Sequence, residues 1–242
     1  HVIDAIRQDL FESRLGWTHG LDFQVAALQA TNAGQLQGHT LHAAFGLTPF
    51  MGKQPRGKNS EAKRENAGNM KRMEVAKRSA QWKWLIVDEI SMVSAQVLAE
   101  LDMKLRAVMS EVRATKRDRG GREKPFGGIN VLFCGDFYQL EPPSGTPLNS
   151  LPSSWLRHAR QYAPGPTEDH GHDIFWGTGE GSVQGMTELT ECMRARDPWL
   201  LSVQEEFRNG ALTEDTHAFL HGEKTVVPGS WLNGTTQYGA SE

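Results

Sequence analysis

Trp84-Leu85-Ile86-Val87-Asp88-Glu89-Ile90-Ser91 decides the fold. Four apolar residues run straight into two adjacent carboxylates. A continuous apolar run of this length reads as a strand buried on both faces, the pattern of a parallel sheet covered by helices. Carboxylates at the C-terminal end of such a strand lie in the crevice where open α/β sheets bind their ligands.

A second run supports this reading. Ile129-Asn130-Val131-Leu132-Phe133-Cys134 is apolar and β-favouring, and it ends in Gly135-Asp136-Phe137-Tyr138-Gln139-Leu140-Glu141-Pro142-Pro143, with Asp136 falling 48 positions after Asp88. Gln139 can donate and accept hydrogen bonds together, which suits a group that senses a phosphate and a water at once. Pro142-Pro143 stiffens the exit and forbids a helix there. Two buried strands that each deliver acid and amide groups to their C-terminal ends imply one shared site. The plainer alternative is two core strands with solvated ends.

Outward from these strands the chain alternates. A helix is expected over 2–14, with Val2, Ile3, Ile6, Leu10 and Phe11 at helical spacing. A strand follows at 23–29, a short helix at 40–46 and a basic, partly helical insertion at 50–80. Strand 84–88 precedes a helix over 94–112, whose Val97, Leu98, Leu101, Leu105 and Val108 form an apolar face. Strand 129–134 comes next, and residues 144–182, rich in Pro, Gly, Ser and His, read as irregular with one short helix near Trp155. Helices at 197–209 and 213–220 precede a Gly/Thr/Ser-rich tail. Alternation of this kind is the signature of an α/β fold with a parallel sheet and helices on its faces.

Composition sets bounds. The 242 residues are 38% hydrophobic with seven tryptophans, enough for one sizeable core. No apolar run approaches the length of a membrane-spanning helix, and the N-terminus carries no signal-peptide pattern. Two cysteines, Cys134 and Cys192, argue against a disulfide framework and for a reducing, intracellular setting. The net charge is only −3, yet residues 51–83 hold ten Lys/Arg and residues 104–124 hold eight, of 26 in all. Such a basic stripe suits a phosphate backbone, or equally a solvated helix face and a surface loop. Asp169, His170, His172 and Asp173 offer metal-capable atoms, but so short a span without cysteine is a poor frame for structural zinc. Trp82 and Trp84 read as core and edge packing rather than base-stacking platforms.

Asp88-Glu89-Ile90-Ser91-Met92 and Gly135-Asp136-Phe137-Tyr138-Gln139-Leu140 resemble motifs II and III of the PIF-type DNA helicases (petite integration frequency), superfamily-one motors that move 5′ to 3′ on single-stranded DNA. Gly38-His39-Thr40-Leu41-His42 resembles that family's G-x-T-x-H segment, and Pro125-Phe126-Gly127-Gly128 its turn into the motif III strand. Leu189-Thr190-Glu191-Cys192-Met193-Arg194, then Asp197 and Arg208-Asn209-Gly210, resembles motif IV and the helix after it. The resemblance implies a RecA-like, P-loop NTPase motor fold. It implies a first motor domain over 1–150 with a basic insertion at about 50–80, a connecting segment over 151–185, and the start of a second motor region over 186–242.

It also implies an ATP hydrolase acting on single-stranded DNA, monomeric, with parent roles in DNA repair, recombination and telomere maintenance, in the nucleus or mitochondrion if eukaryotic. Asp88 would orient Mg²⁺ through water, Glu89 would be the general base, and Asp136 and Gln139 would face the nucleotide. Gln139 would couple the γ-phosphate to the DNA-binding elements, and Arg194 would act as an arginine finger. Gly38, Thr40 and His42 would lie along the DNA backbone. One element is missing. No G-x-x-x-x-G-K-[ST] occurs in the 242 residues, and His1 to Arg7 resembles the helix that follows that loop. The expectation is therefore a helicase fragment, inactive alone. A catalytically inactive nucleic-acid-binding remnant is the second reading, and a two-metal nuclease using Asp88, Glu89 and Asp136 ranks last.

Overall fold

A computed structural model describes residues 2–47, 78–112, 114–150, 166–177, 182–193, 195 and 197–221. Residues 50–77 of the basic insertion, Trp155, Arg194 and the tail fall outside the described residues. His1–Met186 forms one compact unit and Thr187–Glu242 another.

The first unit is built on a parallel sheet. Its strands are β1 (Phe23–Ala27), β2 (His39–Thr40), β3 (Trp84–Asp88) and β4 (Asn130–Phe133), in the order β2-β1-β3-β4. Ala27 is level with Thr40 on one side and with Asp88 on the other, and Val87 is level with Phe133. All five residues of β1 are buried, with Gln24 satisfied by donating to Val25 O at 2.7 Å, as are Leu85, Ile86 and Val87 of β3, which fits the unbroken apolar run of β3.

Alternation along the strands splits the core into two. Leu85, Val87, Val131 and Phe133 face one layer, with α3 (Leu41–Phe45), α4 (Ala95–Glu111) and α5 (Pro166–Trp176). Phe23, Val25, Ile86 and Leu132 face the other, against α1 (Val2–Asp4, continuing as a π-helix over Ala5–Arg14). A fifth short helix, α2 (Ala30–Gln35), links β1 to β2. The wider π turn corrects the 3.6-residue reading of 2–14. Ile3 and Phe11 are buried, while Val2 and Leu10 turn out to solvent. Leu15 N–H donating to Leu10 O at 3.0 Å shows the five-residue step. In α4 the expected face is buried at Leu98, Leu101, Leu105 and Val108, with Val97 at its rim. Ser94 caps α4 by accepting Val97 N–H. Trp82 is buried just before β3, edge-on to Phe45 and donating Nε1–H to Gly20 O at 2.9 Å; Trp84 lies half-buried beside Phe11.

Two features fix the outer strand β4. Its entry turn, Pro125–Gly128, carries three successive left-handed residues, Phe126, Gly127 and Gly128. The turn hangs on Asp102, a fully buried carboxylate of α4. Asp102 Oδ1 accepts Phe126 N–H at 2.5 Å, and Oδ2 accepts Arg106 Nε–H at 2.7 Å and His170 Nε2–H at 2.8 Å. A Cβ on Gly127 would sit 2.5 Å from Met109 Cγ, so only glycine fits between the turn and α4.

The second feature is α5, which lies within the stretch read as irregular. It packs against α4 so closely that a Cβ on Gly171 would collide with the backbone of Ala95. His170 and His172, weighed above as metal-capable, are structural here: His170 binds Asp102, and His172 Nε2 lies 3.1 Å from Pro147 O.

In the second unit, α6 (Pro198–Asn209) is capped by Asp197, which accepts Trp199 N–H at 2.9 Å, and ends at left-handed Gly210. Thr213 caps α7 (Glu214–Leu220), and Trp199 and Phe219 close the pair with ring centroids 4.3 Å apart.

Candidate active site

β3 and β4 are adjacent and parallel, so both chains leave the sheet at the same edge. Asp88 closes β3 and is partly exposed. Glu89 then adopts φ 53° and ψ 51°, a left-handed conformation in a residue with a full side chain. Such a conformation costs on the order of 1–2 kcal/mol for an L-residue and tends to be retained where function demands it. It swings the chain into the short turn Ile90–Met92, closed by Met92 N–H on Glu89 O at 3.0 Å.

β4 exits against this turn. Ile90 N–H donates to Cys134 O at 2.9 Å, and Cys134 N–H to Val87 O at 2.8 Å. Gly135, at φ 152°, lies so near that a Cβ there would stand 2.8 Å from Ile90 N. Asp136 follows, and its Oδ1 accepts Tyr138 N–H at 3.0 Å while its carbonyl accepts Gln139 N–H at 3.0 Å. This is a tight Asx-type turn that ties Gln139 to Asp136. Asp88, Glu89 and Asp136 therefore meet at one sheet edge, with Gln139 exposed on the adjoining turn. The sequence expectation of one edge holds.

The electrostatics agree. Burial, and then the Asp88 charge, push the Cys134 thiol up to about 11, so it stays neutral beside the carboxylates. The oxygen donors at this edge, with no thiolate among them, suit a hard cation such as Mg²⁺, which typically binds one or two carboxylates plus substrate phosphates. Among the described residues, no group of three His, Cys, Asp or Glu side chains could enclose a metal alone.

Thr40, and His42 after it, sit at the same end of the sheet, while Gly38 enters β2 beside Val25 in the middle of β1. Thr40 is level with Ala27, and Ala27 with Asp88, so Thr40 and Asp88 are roughly 10 Å apart by two strand spacings. Gly38 is required by close approach, because a Cβ would stand 2.5 Å from Val25 O. Thr40 caps α3, its Oγ1 accepting Ala43 N–H at 3.1 Å, and His42 is half-buried on that helix. Leu189 and Met193 of the motif IV segment are strongly exposed, and Asp197 serves as a helix cap.

Sequence reasoning missed the support behind Gln139. Phe175 and Trp176 of α5 hold Phe137, with ring centroids at 5.7 and 5.9 Å, and Phe133 packs on Phe175 at 5.4 Å. The signal existed. Pro166 with Glu168 and Asp169 forms a helix-start pattern, and Gly177 follows the last turn.

A parallel sheet with helices on both faces and carboxylates at its C-terminal edge defines the class of open α/β proteins that bind ligands at that edge. Comparison with known proteins narrows it. The family model for PIF1-like helicases matches residues 25–149, and the chain belongs to that family of ATP-dependent DNA helicases. It is similar to the ATP-dependent DNA helicase PIF1 of Xenopus laevis, with 28% identity over 187 residues, covering 76% of this chain and 22% of that protein. A shorter stretch of 63 residues is 43% identical to PIF1 of Saccharomyces cerevisiae, covering 26% of this chain and 6% of that protein. Among solved structures, the Bacteroides Pif1 helicase in complex with ADP-AlF₃ and single-stranded DNA matches at 25% identity and a TM-score of 0.50, over 82% of this chain and 39% of that one. Pif1 helicase from Candida albicans matches in fold at a TM-score of 0.55 and 24% identity, over 97% and 42%. The chain thus spans well under half the length of the relatives it matches. No helix among the described residues is long and apolar enough to cross a membrane.

Proposed function

We propose that this chain is the first motor region and the start of the second in an ATP-dependent 5′–3′ DNA helicase, coupling ATP hydrolysis to movement on single-stranded DNA. The reading takes 1–150 as the first motor domain, 151–185 as the connection and 186–242 as the beginning of the second. The observation that carries it is the pairing of β3 with β4, which brings Asp88, Glu89 and Asp136 to one edge. Bound Mg²⁺ would neutralise charge on the phosphates. Asp88 would hold it, through water. Glu89, on a left-handed backbone at the end of β3, takes the proton from the attacking water. Gln139, tied to Asp136, faces the γ-phosphate. Arg194 stabilises the transferring group, a role worth about 10³–10⁵-fold in other NTPases. Gly38, Thr40 and His42 line the DNA path. Repair, recombination and telomere maintenance are the cellular roles this activity would serve.

The test uses the full-length helicase containing this chain. Glu89→Gln keeps size and hydrogen bonding but loses the base, so Mg·ATP affinity should persist while single-turnover hydrolysis falls about 10²–10⁴-fold. Asp88→Asn should weaken Mg²⁺-dependent binding as well. Wild-type hydrolysis in Glu89→Gln removes Glu89 from the mechanism. A second reading, a DNA-binding piece without catalysis, is favoured by the lack of a G-x-x-x-x-G-K-[ST] loop in the 242 residues. It predicts single-stranded DNA binding by this chain without ATP turnover.

A further inference from the structure

Gln139 sits in a closed loop, and a single side chain outside the sheet touches both ends of it. The loop runs from Phe137 to Asn149. At its start, the Phe137 ring lies 5.9 Å from the ring of Trp176, tilted by 40°. At its end, Trp176 Nε1–H donates to Leu148 O at 2.6 Å. Leu148 itself is fully buried. The two ends also meet directly, Asn149 Nδ2–H donating to Phe137 O at 3.4 Å. Between them, Tyr138 and Leu140 are about 70% exposed, and Gln139 and Glu141 are exposed as well. A surface segment whose ends are pinned while its middle projects is an Ω-loop, a compact body that moves as a unit rather than as a frayed strand.

The rest of the loop's last stretch is bound along the same helix and its neighbour. Thr146 Oγ1–H donates to Glu168 Oε1 at 2.6 Å, and Gln96 Oε1 accepts Thr146 N–H at 2.9 Å. These contacts hold only the C-terminal limb. On the N-terminal limb, which carries Gln139, the rings of Phe175 and Trp176 pack on Phe137, whose carbonyl accepts the Asn149 bond. Trp176 joins the two limbs from α5, in addition to the direct Asn149–Phe137 bond.

We propose that Trp176 is a positioning residue for Gln139: it latches both ends of the Phe137–Asn149 loop and so fixes where the amide stands relative to Asp136. The inference rests on the role given to Gln139 above. Trp176 reaches no reacting atom. Its action is through Phe137, two residues before Gln139, and through the Leu148 carbonyl. Loosening it leaves the sheet intact, because β3 and α4 are buried by other contacts and β4 is bonded along β3. What changes is how often the loop stands in its bound position, an effect local opening makes measurable.

The experiment compares Trp176→Phe, which keeps a ring against Phe137 but removes the N–H, with Trp176→Ala, which removes both. Amide exchange in the 242-residue chain is followed at Tyr138, Gln139 and Thr146, whose N–H groups are bonded in the structure. Exchange there should quicken about three- to tenfold in Trp176→Phe and further in Trp176→Ala, while β3 and α4 amides keep their wild-type rates. In the full-length helicase, Trp176→Phe should lower kcat for ATP severalfold and leave KM within about twofold. Unchanged loop exchange, or an equal rise across the sheet, overturns the latch. So does an unaltered kcat in Trp176→Ala when Gln139→Ala is crippled. Gln139→Ala run alongside separates the two claims: full turnover in that variant refutes the role of Gln139, whereas the exchange data judge the latch alone.

Discussion

Replacing Asp102 with alanine should cost the first unit about 3–5 kcal/mol, the range for removing one partner of a buried charged group. The magnitude follows from what the carboxylate holds. Its Oδ1 is the acceptor for Phe126 N–H, a buried donor in a left-handed turn. Orphaning that donor costs about 1–3 kcal/mol. Its Oδ2 also balances Arg106 and His170, both partly reached by solvent, so their loss adds less, roughly 1–2 kcal/mol. At an m-value of about 2 kcal/mol/M, the urea midpoint should drop by about 2 M with the slope unchanged. Asp102→Asn retains an acceptor oxygen for Phe126 and should lose only about half as much. Tryptophan fluorescence and far-ultraviolet circular dichroism would follow the transition together. An alanine variant within about 1 kcal/mol of wild type, or an asparagine variant equally damaged, would refute the claim that this carboxylate fastens the turn into β4.

Two further outcomes are expected. His19 Nε2 accepts Val25 N–H at 3.1 Å, and burial, followed by the Arg7 charge, lowers the ring to about 4. The unfolded chain therefore binds a proton between about pH 6.5 and 4 that the folded chain refuses, so stability falls as pH drops through that window and levels off below it. The contribution is about 1–2 kcal/mol after allowing for the ring's partial exposure, and comparing urea unfolding of wild type and His19→Gln at pH 7 and pH 4.5 measures it; parallel pH dependences would dismiss it. Gly135→Ala drives a Cβ to 2.8 Å from Ile90 N and 3.1 Å from Ile90 Cγ2, which should destabilise by about 1–3 kcal/mol and loosen the Ile90–Cys134 bond. Faster exchange of the Ile90 amide would register that separation, and a variant with wild-type stability and exchange would show that the strand exits tolerate a side chain.

The chemistry of the site was legible because it lies on strands. The apolar run of β3 is buried in the sheet, that of β4 is half-buried at its edge, and a parallel pair must release Asp88 and Gly135-Asp136 at one end. The support behind it was only faintly legible, because the helix-start pattern at Pro166, Glu168 and Asp169 is offset by the residues that follow it. Gly171 and two histidines in Thr167–Trp176 look like a loop, yet the glycine is what lets α5 lie on the backbone of Ala95. The residue that weakens the helix in isolation permits its closest contact in the fold. Likewise, the π turns of Ala5–Arg14 obey no 3.6-residue period, so Leu10 was assigned to the wrong face. Asp102 reads in sequence as one more polar residue of an amphipathic helix. Its burial depends on Phe126, 24 residues away, which no local pattern encodes.

The backbone at Glu89 has a consequence for engineering. Any search that ranks substitutions by thermal robustness alone will favour glycine there, since glycine enters the left-handed region at no steric cost. Accepting that suggestion would remove the carboxylate that the proposed hydrolysis depends on. Under the proposed mechanism, position 89 is a place where heat resistance and hydrolysis call for different residues, so a library screened first for heat resistance would lose Glu89 before activity was ever assayed.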